Sequence, residues 1–207
     1  QAAAGTAAAG GAGALNVEDV FSTYLYEGNG SANVIDNGIN RGQSNDGGSV
    51  DFANSGSLQV TPSDASLAFT GAFTWEAFVF FKTGIATNET IFEKTNASDT
   101  SSQRLIFGRD GGDGKFRLWI TGTDVNPNTS VMNAGTWYHV ALTKDGSNDF
   151  RLFINGNLEF TYNKSGVSLS DNGIFTIGQN RDGAESMQGI ISNVRIVNGT
   201  ALYTSSF

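Results

Sequence analysis

Paired carboxylates are the first residues in this chain that could do chemistry. Glycoside hydrolysis needs two carboxyl groups that flank the bond to be cleaved. The nearest such pair is Glu89 and Glu93, in the segment Glu-Thr-Ile-Phe-Glu. Glu76 lies on another predicted strand and has no acidic neighbour in the sequence. The spacing therefore offers one candidate pair for hydrolysis.

The chain contains one histidine, His139, and no cysteine. A Ser-His-Asp site needs an imidazole beside a nucleophile and an acid, and a zinc site needs several nitrogen or sulfur ligands. This composition excludes a typical zinc shell, a thiolate nucleophile and a disulfide. We predict that His139 is a hydrogen-bonded structural residue of a strand.

Carbohydrate binding needs an exposed aromatic ring that can stack on a sugar. Phe116, Leu118 and Ile120 form the apolar face of one predicted strand, which leaves Arg117 and Trp119 on its other face. Trp119 and Arg117 are therefore the candidate glycan-binding residues. The alternative is that Trp119 packs beneath a neighbouring strand or subunit.

The charge balance limits the possible partners. Twelve basic and 20 acidic side chains give a formal net charge of −8. Such a chain repels phosphate backbones and anionic bilayers, so neither nucleic acid nor a membrane surface is an expected partner. No apolar run approaches the roughly 20 residues that span a bilayer.

Short alternating strands dominate the chain, and no helical periodicity of useful length is present. Residues 136–158 predict two strands that lead into an Asn155-Gly156 turn, a pair that suits a type I′ hairpin, and a third strand follows. The pattern favours an all-β sandwich. Strands are predicted near residues 50–53, 57–61, 73–82, 89–94, 104–108, 115–121, 137–144, 150–155, 158–162, 174–178 and 189–197.

One strand carries apolar residues on both of its faces. Trp75, Ala77 and Val79 are expected to face the core. Phe78 and Phe80 lie on the opposite face and need cover as well. We therefore expect this strand to be central in its sheet and buried on both sides.

The sequence Trp-x-His-Val-Ala, a polar turn and Leu-Phe-Ile-Asn-Gly, at residues 137–156, resembles laminin-G-like, concanavalin A-like jelly-roll domains. Flanking segments such as 73–79 and 189–196 resemble the opening and closing strands of that family. The resemblance covers residues 49–207 and implies an antiparallel, two-sheet jelly roll. It also implies that His139 is structural and flanks a core tryptophan.

The resemblance bears on catalysis and on metal binding. Catalytic relatives carry a strand similar to Glu-x-Asp-x-Glu, and this chain has Ile91 where the aspartate is needed, so we expect no enzymatic activity. Relatives often bind calcium at one rim, which makes Asp110, Asp113 and Asp182 candidate Ca²⁺ ligands. The alternative is that these aspartates are ordinary turn residues. No other cofactor is expected.

Two segments precede the predicted jelly roll. Residues 1–14 are an Ala/Gly-rich leader, and residues 15–48 are expected to form a separate β-rich adaptor, with a loop over residues 41–48. The adaptor and the closing segment from Val194 to Phe207 resemble parts of structural proteins of tailed bacteriophages, marine cyanophages among them. The residues expected to anchor the chain to its neighbours lie on one adaptor strand and are Val20, Phe21, Tyr24 and Tyr26.

These observations predict a non-enzymatic structural protein on the exterior of a tailed-phage virion, as a capsid decoration, tail fibre or appendage. Its partners would be other virion proteins and further copies of itself, and the displayed domain would bind host-surface glycans. A β domain with few charged residues, 15 % of the chain, and an apolar leader favours an oligomer. The alternative is a carbohydrate-binding adhesin or lectin module of a bacterial surface protein.

Overall fold

The computed structural model describes residues 14–16, 32–36, 40–42, 49–53, 56–62, 67–84, 86–95, 104–169 and 173–207. The predicted anchoring residues Val20, Phe21, Tyr24 and Tyr26 lie outside these ranges. No α-helix occurs among the described residues. The described part of the chain therefore holds no helix long and apolar enough to cross a membrane.

The described chain forms antiparallel strands in two sheets. The strands are β1 (Ala14–Asn16), β2 (Ala32–Asp36), β3 (Asn40–Gly42), β4 (Ser49–Ala53), β5 (Leu58–Pro62), β6 (Phe73–Phe81), β7 (Glu89–Lys94), β8 (Leu105–Arg109), β9 (Phe116–Ile120), β10 (Thr123–Val125), β11 (Trp137–Lys144), β12 (Asp149–Ile154), β13 (Asn157–Asn163), β14 (Phe175–Ile177) and β15 (Gln188–Asn198). Sheet A has the order β13-β12-β11-β6-β15-β4-β3. β1 also belongs to it and pairs with residues 195–197 of β15, beyond the part of β15 that pairs with β4. Sheet B has the order β10-β9-β8-β7-β14-β5-β2. The predicted two-sheet jelly roll is confirmed.

The hairpin of β11 and β12 has the predicted form. Val140 lies opposite Ile154, and Leu142 lies opposite Leu152, all with buried side chains. Asn155 and Gly156 have φ values of 50° and 80°, the left-handed conformation that a type I′ turn requires. The alternating apolar residues of β11 and β12 therefore lie opposite one another in the observed register.

β10 is one of the strands that the sequence did not predict. Residues 115–121 were predicted as a single strand, whereas Thr121 and Gly122 form a tight turn with φ values of 43° and 83°. The chain then returns as β10, in which Thr123 pairs with Ile120. Threonine rarely adopts a positive φ, so the turn had a weak local signal.

The core between the sheets is rich in aromatic side chains. Trp75 is fully buried, and its ring lies 5.0 Å from Phe73, 5.2 Å from Phe69 and 5.1 Å from Phe175, between ring centroids. These contacts join β6 of sheet A to β14 of sheet B. The core tryptophan is therefore Trp75, whereas Trp137, the tryptophan of the Trp-x-His motif, is 45 % exposed, so the expectation that His139 flanks a core tryptophan was wrong.

The first strands belong to the same sheets as the rest of the chain. β1 pairs with β15, β2 with β5, and β3 with β4. β3 includes residues 41 and 42, which were predicted to belong to a loop over residues 41–48. The described strands of the predicted adaptor thus extend the jelly roll rather than form sheets of their own.

The strand with two apolar faces is central, as predicted, but it is not covered on both sides. β6 lies between β11 and β15 in sheet A. Its inward residues are buried, whereas Phe78 on the outward face is 42 % exposed. The expectation that Phe78 is buried was wrong.

Trp75→Ala is expected to lower the free energy of unfolding by about 3–5 kcal/mol, because it removes a large ring from a packed core. Trp137→Ala is the matched control, since Trp137 is 45 % exposed, and its cost is expected to stay below about 1 kcal/mol. Urea unfolding of both variants measures the two values. Equal losses would contradict this account of the core.

Candidate functional site

Two neighbouring strands of sheet A present rings on the face that points away from the core. β6 and β11 pair so that Phe80 lies opposite Trp137 and Phe78 lies opposite His139. Alternate strand residues face opposite sides, and the odd-numbered residues of β6 fill the core. The four outward rings of Phe78, Phe80, Trp137 and His139 form a group that we call the aromatic platform.

The aromatic platform is accessible to solvent. Trp137 is 45 % exposed and Phe78 is 42 % exposed, while Phe80 is half-buried between neighbours. The ring centroids of Phe80 and Trp137 are 5.5 Å apart, and those of Phe78 and His139 are 5.1 Å apart. Adjacent exposed aromatic rings on one sheet face are typical of a binding surface.

The C-terminal segment, residues 200–207, lies across sheet A beside the platform. The Thr143 hydroxyl donates to the carbonyl of Tyr203 at 2.9 Å, and the Phe207 N–H donates to the carbonyl of Gly156 at 2.9 Å. Phe207 is thereby placed with its ring 5.8 Å from that of His139, and it is 57 % exposed. The segment therefore adds a further ring at the edge of the platform.

Gly156 is needed for this arrangement. Its φ is +80°, and a Cβ atom there would stand 2.3 Å from the carbonyl oxygen of Phe207. Only glycine allows both the hairpin turn and the close approach of the C-terminal segment.

A buried carboxylate lies between the platform and the C-terminal segment. Glu76 contacts His139 Nε2 at 3.3 Å, and it forms a salt bridge with Arg195. Arg195 Nη2 also donates to the Tyr203 hydroxyl at 2.7 Å. Burial raises the pKa of Glu76, but hydrogen bonds from His139, Tyr203 and Arg195 outweigh it, so the pKa lies below its ordinary value.

The same surroundings act on the tyrosine. Burial and the Glu76 carboxylate raise the pKa of Tyr203 to about 12. Tyr203 thus stays protonated and keeps its hydroxyl as a donor to the carboxylate. The C-terminal segment is bound to sheet A by charge-assisted contacts as well as by backbone hydrogen bonds.

Another ion pair borders the platform on its opposite side. Ile190 of β15 lies opposite Phe80, and Asp51 of β4 lies opposite Ile190, in one row across the sheet. Lys82 follows β6 and forms a salt bridge with Asp51. The platform therefore has polar borders and an aromatic centre.

The residues predicted to bind glycan lie on the other sheet. Trp119 and Arg117 point away from the core, as the alternation predicted, on the outer face of sheet B. Arg117 is only 7 % exposed, because its guanidinium is paired with Asp124 at 3.2 Å and with Glu185 at 2.7 Å. Trp119 is half-buried beside it. This arginine is already engaged by carboxylates of its own chain.

The predicted carboxylate pair is separated by the sheet itself. Glu89 pairs with Arg109 and Glu93 pairs with Ile106, with a bulge in β7 between them. Arg109 and Ile106 are three positions apart on β8, so they face opposite sides. Both glutamates are buried, which raises their pKa, and they form salt bridges with Arg109 and Arg104 respectively. They do not flank a common cleft.

The predicted calcium ligands are used in other ways. Asp110 accepts the backbone N–H of Asp113 at 3.3 Å, and Asp113 accepts that of Lys115 at 3.0 Å, so both stabilise one turn. Asp182 pairs with Arg104 at 2.8 Å. Within the described ranges, no three acidic, histidine or cysteine side chains converge as a metal site. The three aspartates therefore do not fit a shared calcium shell, which needs several converging oxygens.

Trp137 and Phe207 were not identified from the sequence as candidate site residues. The sequence did contain a signal for Trp137. It lies two positions from His139 and therefore on the same face of the strand, opposite to the face of the core residues Val140 and Leu142. The approach of Phe207 to His139 had no local signal, since it joins residues from distant parts of the chain.

Residues 52–203 match the profile of the concanavalin A-like lectin/glucanases superfamily. No curated protein matches the chain in sequence. Among solved structures, the chain is similar to domain 4 of AbnA, a GH43 extracellular arabinanase from Geobacillus stearothermophilus, in complex with arabinotriose. The TM-score is 0.66 at 18 % identity, over 91 % of this chain and 92 % of that domain.

Two toxin structures are also similar. The binding domain of Paraclostridial Mosquitocidal Protein 1 has a TM-score of 0.62 at 15 % identity, over 85 % of this chain and 46 % of that one. A botulinum neurotoxin type C structure, described as dependent on two ganglioside molecules for cell entry, has a TM-score of 0.58 at 15 % identity, over 80 % and 43 %. The chain spans less than half of either toxin chain. Identities this low establish the fold alone.

Glu76→Gln is expected to lower the free energy of unfolding by about 2 kcal/mol near neutral pH, because it removes a buried carboxylate with charged partners. A lowered carboxyl pKa stabilises the folded state above the ordinary value of 4.5, and this contribution disappears as pH falls through the folded-state pKa. The difference between the wild type and the variant should therefore shrink in acid, as measured by urea unfolding across pH. Tyr203→Phe keeps the carboxylate but removes one of its hydrogen bonds, so it should show a smaller pH-dependent loss than Glu76→Gln. A difference that is constant with pH would contradict the assignment.

Proposed function

The chain belongs to the concanavalin A-like lectin/glucanases superfamily, and we propose that it is a non-enzymatic carbohydrate-binding module. The observation that carries this proposal is the aromatic platform on sheet A. Trp137 and Phe78 expose their rings on a surface formed by two paired central strands. Such a rigid surface positions the rings before a ligand arrives, which lowers the entropic cost of binding.

The chemistry of the platform suits a sugar. A sugar ring has an apolar face of C–H groups, which can cover an aromatic ring, and hydroxyl groups around its edge. The platform supplies aromatic rings, one of which is the polar imidazole of His139, and the pair of Lys82 with Asp51 lies at its border. Apolar contact combined with a few placed polar groups is the usual composition of a small-molecule site.

The structural neighbours support the same class of ligand. The arabinanase domain was solved with arabinotriose, and the neurotoxin structure is described by its interaction with gangliosides. At such low identity, the residues that contact those ligands are not transferable to this chain. The neighbours are therefore supporting examples from the same fold.

We propose that the module is not catalytic because of where its two candidate glutamates lie. Glu89 and Glu93 lie on opposite faces of sheet B, and each is paired with an arginine. Hydrolysis needs two carboxyl groups on either side of one glycosidic bond, at separations of about 5–10 Å across a cleft. A non-catalytic binding role fits this arrangement.

We further propose that the module is displayed on the exterior of a tailed-phage virion, as a decoration protein, tail fibre or appendage. The resemblance of residues 15–48 and of the closing segment to phage structural proteins supports this role. Assembly with other virion proteins and with further copies of the chain is part of the proposal, and residues 20–26 are its proposed contact. The second candidate is a lectin module of a bacterial adhesin, which the platform would serve equally well.

Trp137→Ala is expected to weaken glycan binding by about tenfold or more, equivalent to ~1.4 kcal/mol, because it removes a stacking surface. Phe78→Ala should act in the same direction. Glycan arrays identify the ligand, and isothermal titration calorimetry measures the affinity of each variant.

Trp119→Ala is the matched control, since it removes the same side chain from the outer face of sheet B. Its binding should equal that of the wild type. Val131→Ala, at a residue 40 % exposed elsewhere on the surface, controls for apolar loss in general. Loss of binding in Trp119→Ala alone would move the site to sheet B.

Immunogold labelling of intact particles tests the virion role. Label at regular positions on the head or confined to the tail is the expected result, and it distinguishes a decoration protein from an appendage. Absence of the chain from any particle, together with retained glycan binding, would favour the bacterial adhesin.

A further inference from the structure

We infer that the ligand of the aromatic platform is an uncharged oligosaccharide rather than an acidic glycan. This inference rests on the proposed function, because it names the class of sugar for the same site. It follows from the pairing of charges around the platform and from the arrangement of the rings along the strands.

The charged groups on the outward face near the platform neutralise one another. Lys82 is paired with Asp51 on one side, and Arg195 is paired with Glu76 on the other. Arg195 is further engaged by the hydroxyl of Tyr203. Each of these two cations therefore lies beside a carboxylate of the chain itself.

An acidic glycan would need such a cation. Carboxylate and sulfate groups are recognised by charge-assisted hydrogen bonds from arginine or lysine, and the cost of desolvation is recovered only when that contact forms. A carboxylate or sulfate that contacted Lys82 or Arg195 would also lie beside Asp51 or Glu76, and repulsion from that carboxylate would offset the attraction. The formal net charge of −8 adds a long-range repulsion.

An uncharged sugar meets neither obstacle. Its C–H face can lie on Trp137 and Phe78, and its hydroxyl groups can share the ion pairs as additional hydrogen-bond partners without separating the charges. Gln188, which lies on the outward face and accepts a hydrogen bond from the Thr83 hydroxyl at 3.0 Å, offers a further amide group at the same border. The neutral polar border therefore complements hydroxyl groups.

The length of the platform indicates more than one sugar ring. The pair of Phe80 with Trp137 and the pair of Phe78 with His139 are two residues apart along their strands, which corresponds to about 7 Å. Phe207 adds a further ring beside His139. A single sugar would leave part of this surface uncovered, so affinity should increase with chain length.

The test uses the full chain on an array that contains neutral and acidic glycans, followed by titration calorimetry with a neutral hit and its shorter fragments. Binding to neutral oligosaccharides is expected, with affinity that changes by less than about twofold between low salt and about 0.5 M NaCl, since no charge pair forms. Affinity should fall as the oligosaccharide is shortened to one sugar.

Asp51→Asn tests the selectivity for uncharged glycans more directly. It frees Lys82 from its salt bridge, and it should introduce measurable binding of acidic glycans that the wild type lacks. Asp113→Asn, at an exposed turn on sheet B, is the matched control and should not change the selectivity.

Different outcomes overturn different claims. Preference of the wild type for acidic glycans, or a loss of affinity of about tenfold or more with added salt, would overturn the inference and leave the proposed function in place. Binding that is unaffected by Trp137→Ala, or absent for every glycan, would overturn the proposed function itself. A change of mass in solution for Trp137→Ala, measured by light scattering, would instead identify the platform as a contact between copies of the chain.

Discussion

The structure depends on the pairing of β6 with both of its neighbours, β11 and β15, in the middle of sheet A. Because the side chains of a strand alternate, this pairing sends Trp75 and its odd-numbered neighbours into the core and Phe78 to the surface. The same backbone hydrogen bonds thus hold the aromatic core and the aromatic platform. A shift of register by one residue would exchange the two faces.

The C-terminal segment links this platform to distant parts of the chain. Hydrogen bonds from Thr143 and to Gly156 hold it on sheet A, and Tyr203 joins the charged group of Glu76, His139 and Arg195. The platform is therefore bordered by a network whose members come from several strands. Each charge in that network is compensated locally, which makes the surface polar at its borders without a net charge.

The two sheets use their outer faces differently. On sheet B, charged residues such as Arg117 and Glu93 are buried in ion pairs with residues of the chain itself. On sheet A, Trp137 and Phe78 have no comparable cover among the described residues. The outer face of sheet B is therefore closed by contacts within the chain, whereas the outer face of sheet A is available to a ligand.

Local patterns determined most of the strands, because alternation, the Asn155-Gly156 turn and the apolar positions of β6 and β11 are properties of neighbouring residues. The same alternation correctly placed Trp119 and Arg117 outside the core, but exposure depends on what lies above a face, which is a long-range property. Tertiary structure alone decided that Arg117 is enclosed by carboxylates and that Trp137 is open. It also separated Glu89 from Glu93 through a bulge and brought Phe207 to His139, since bulges and contacts between distant segments follow from packing of the whole chain.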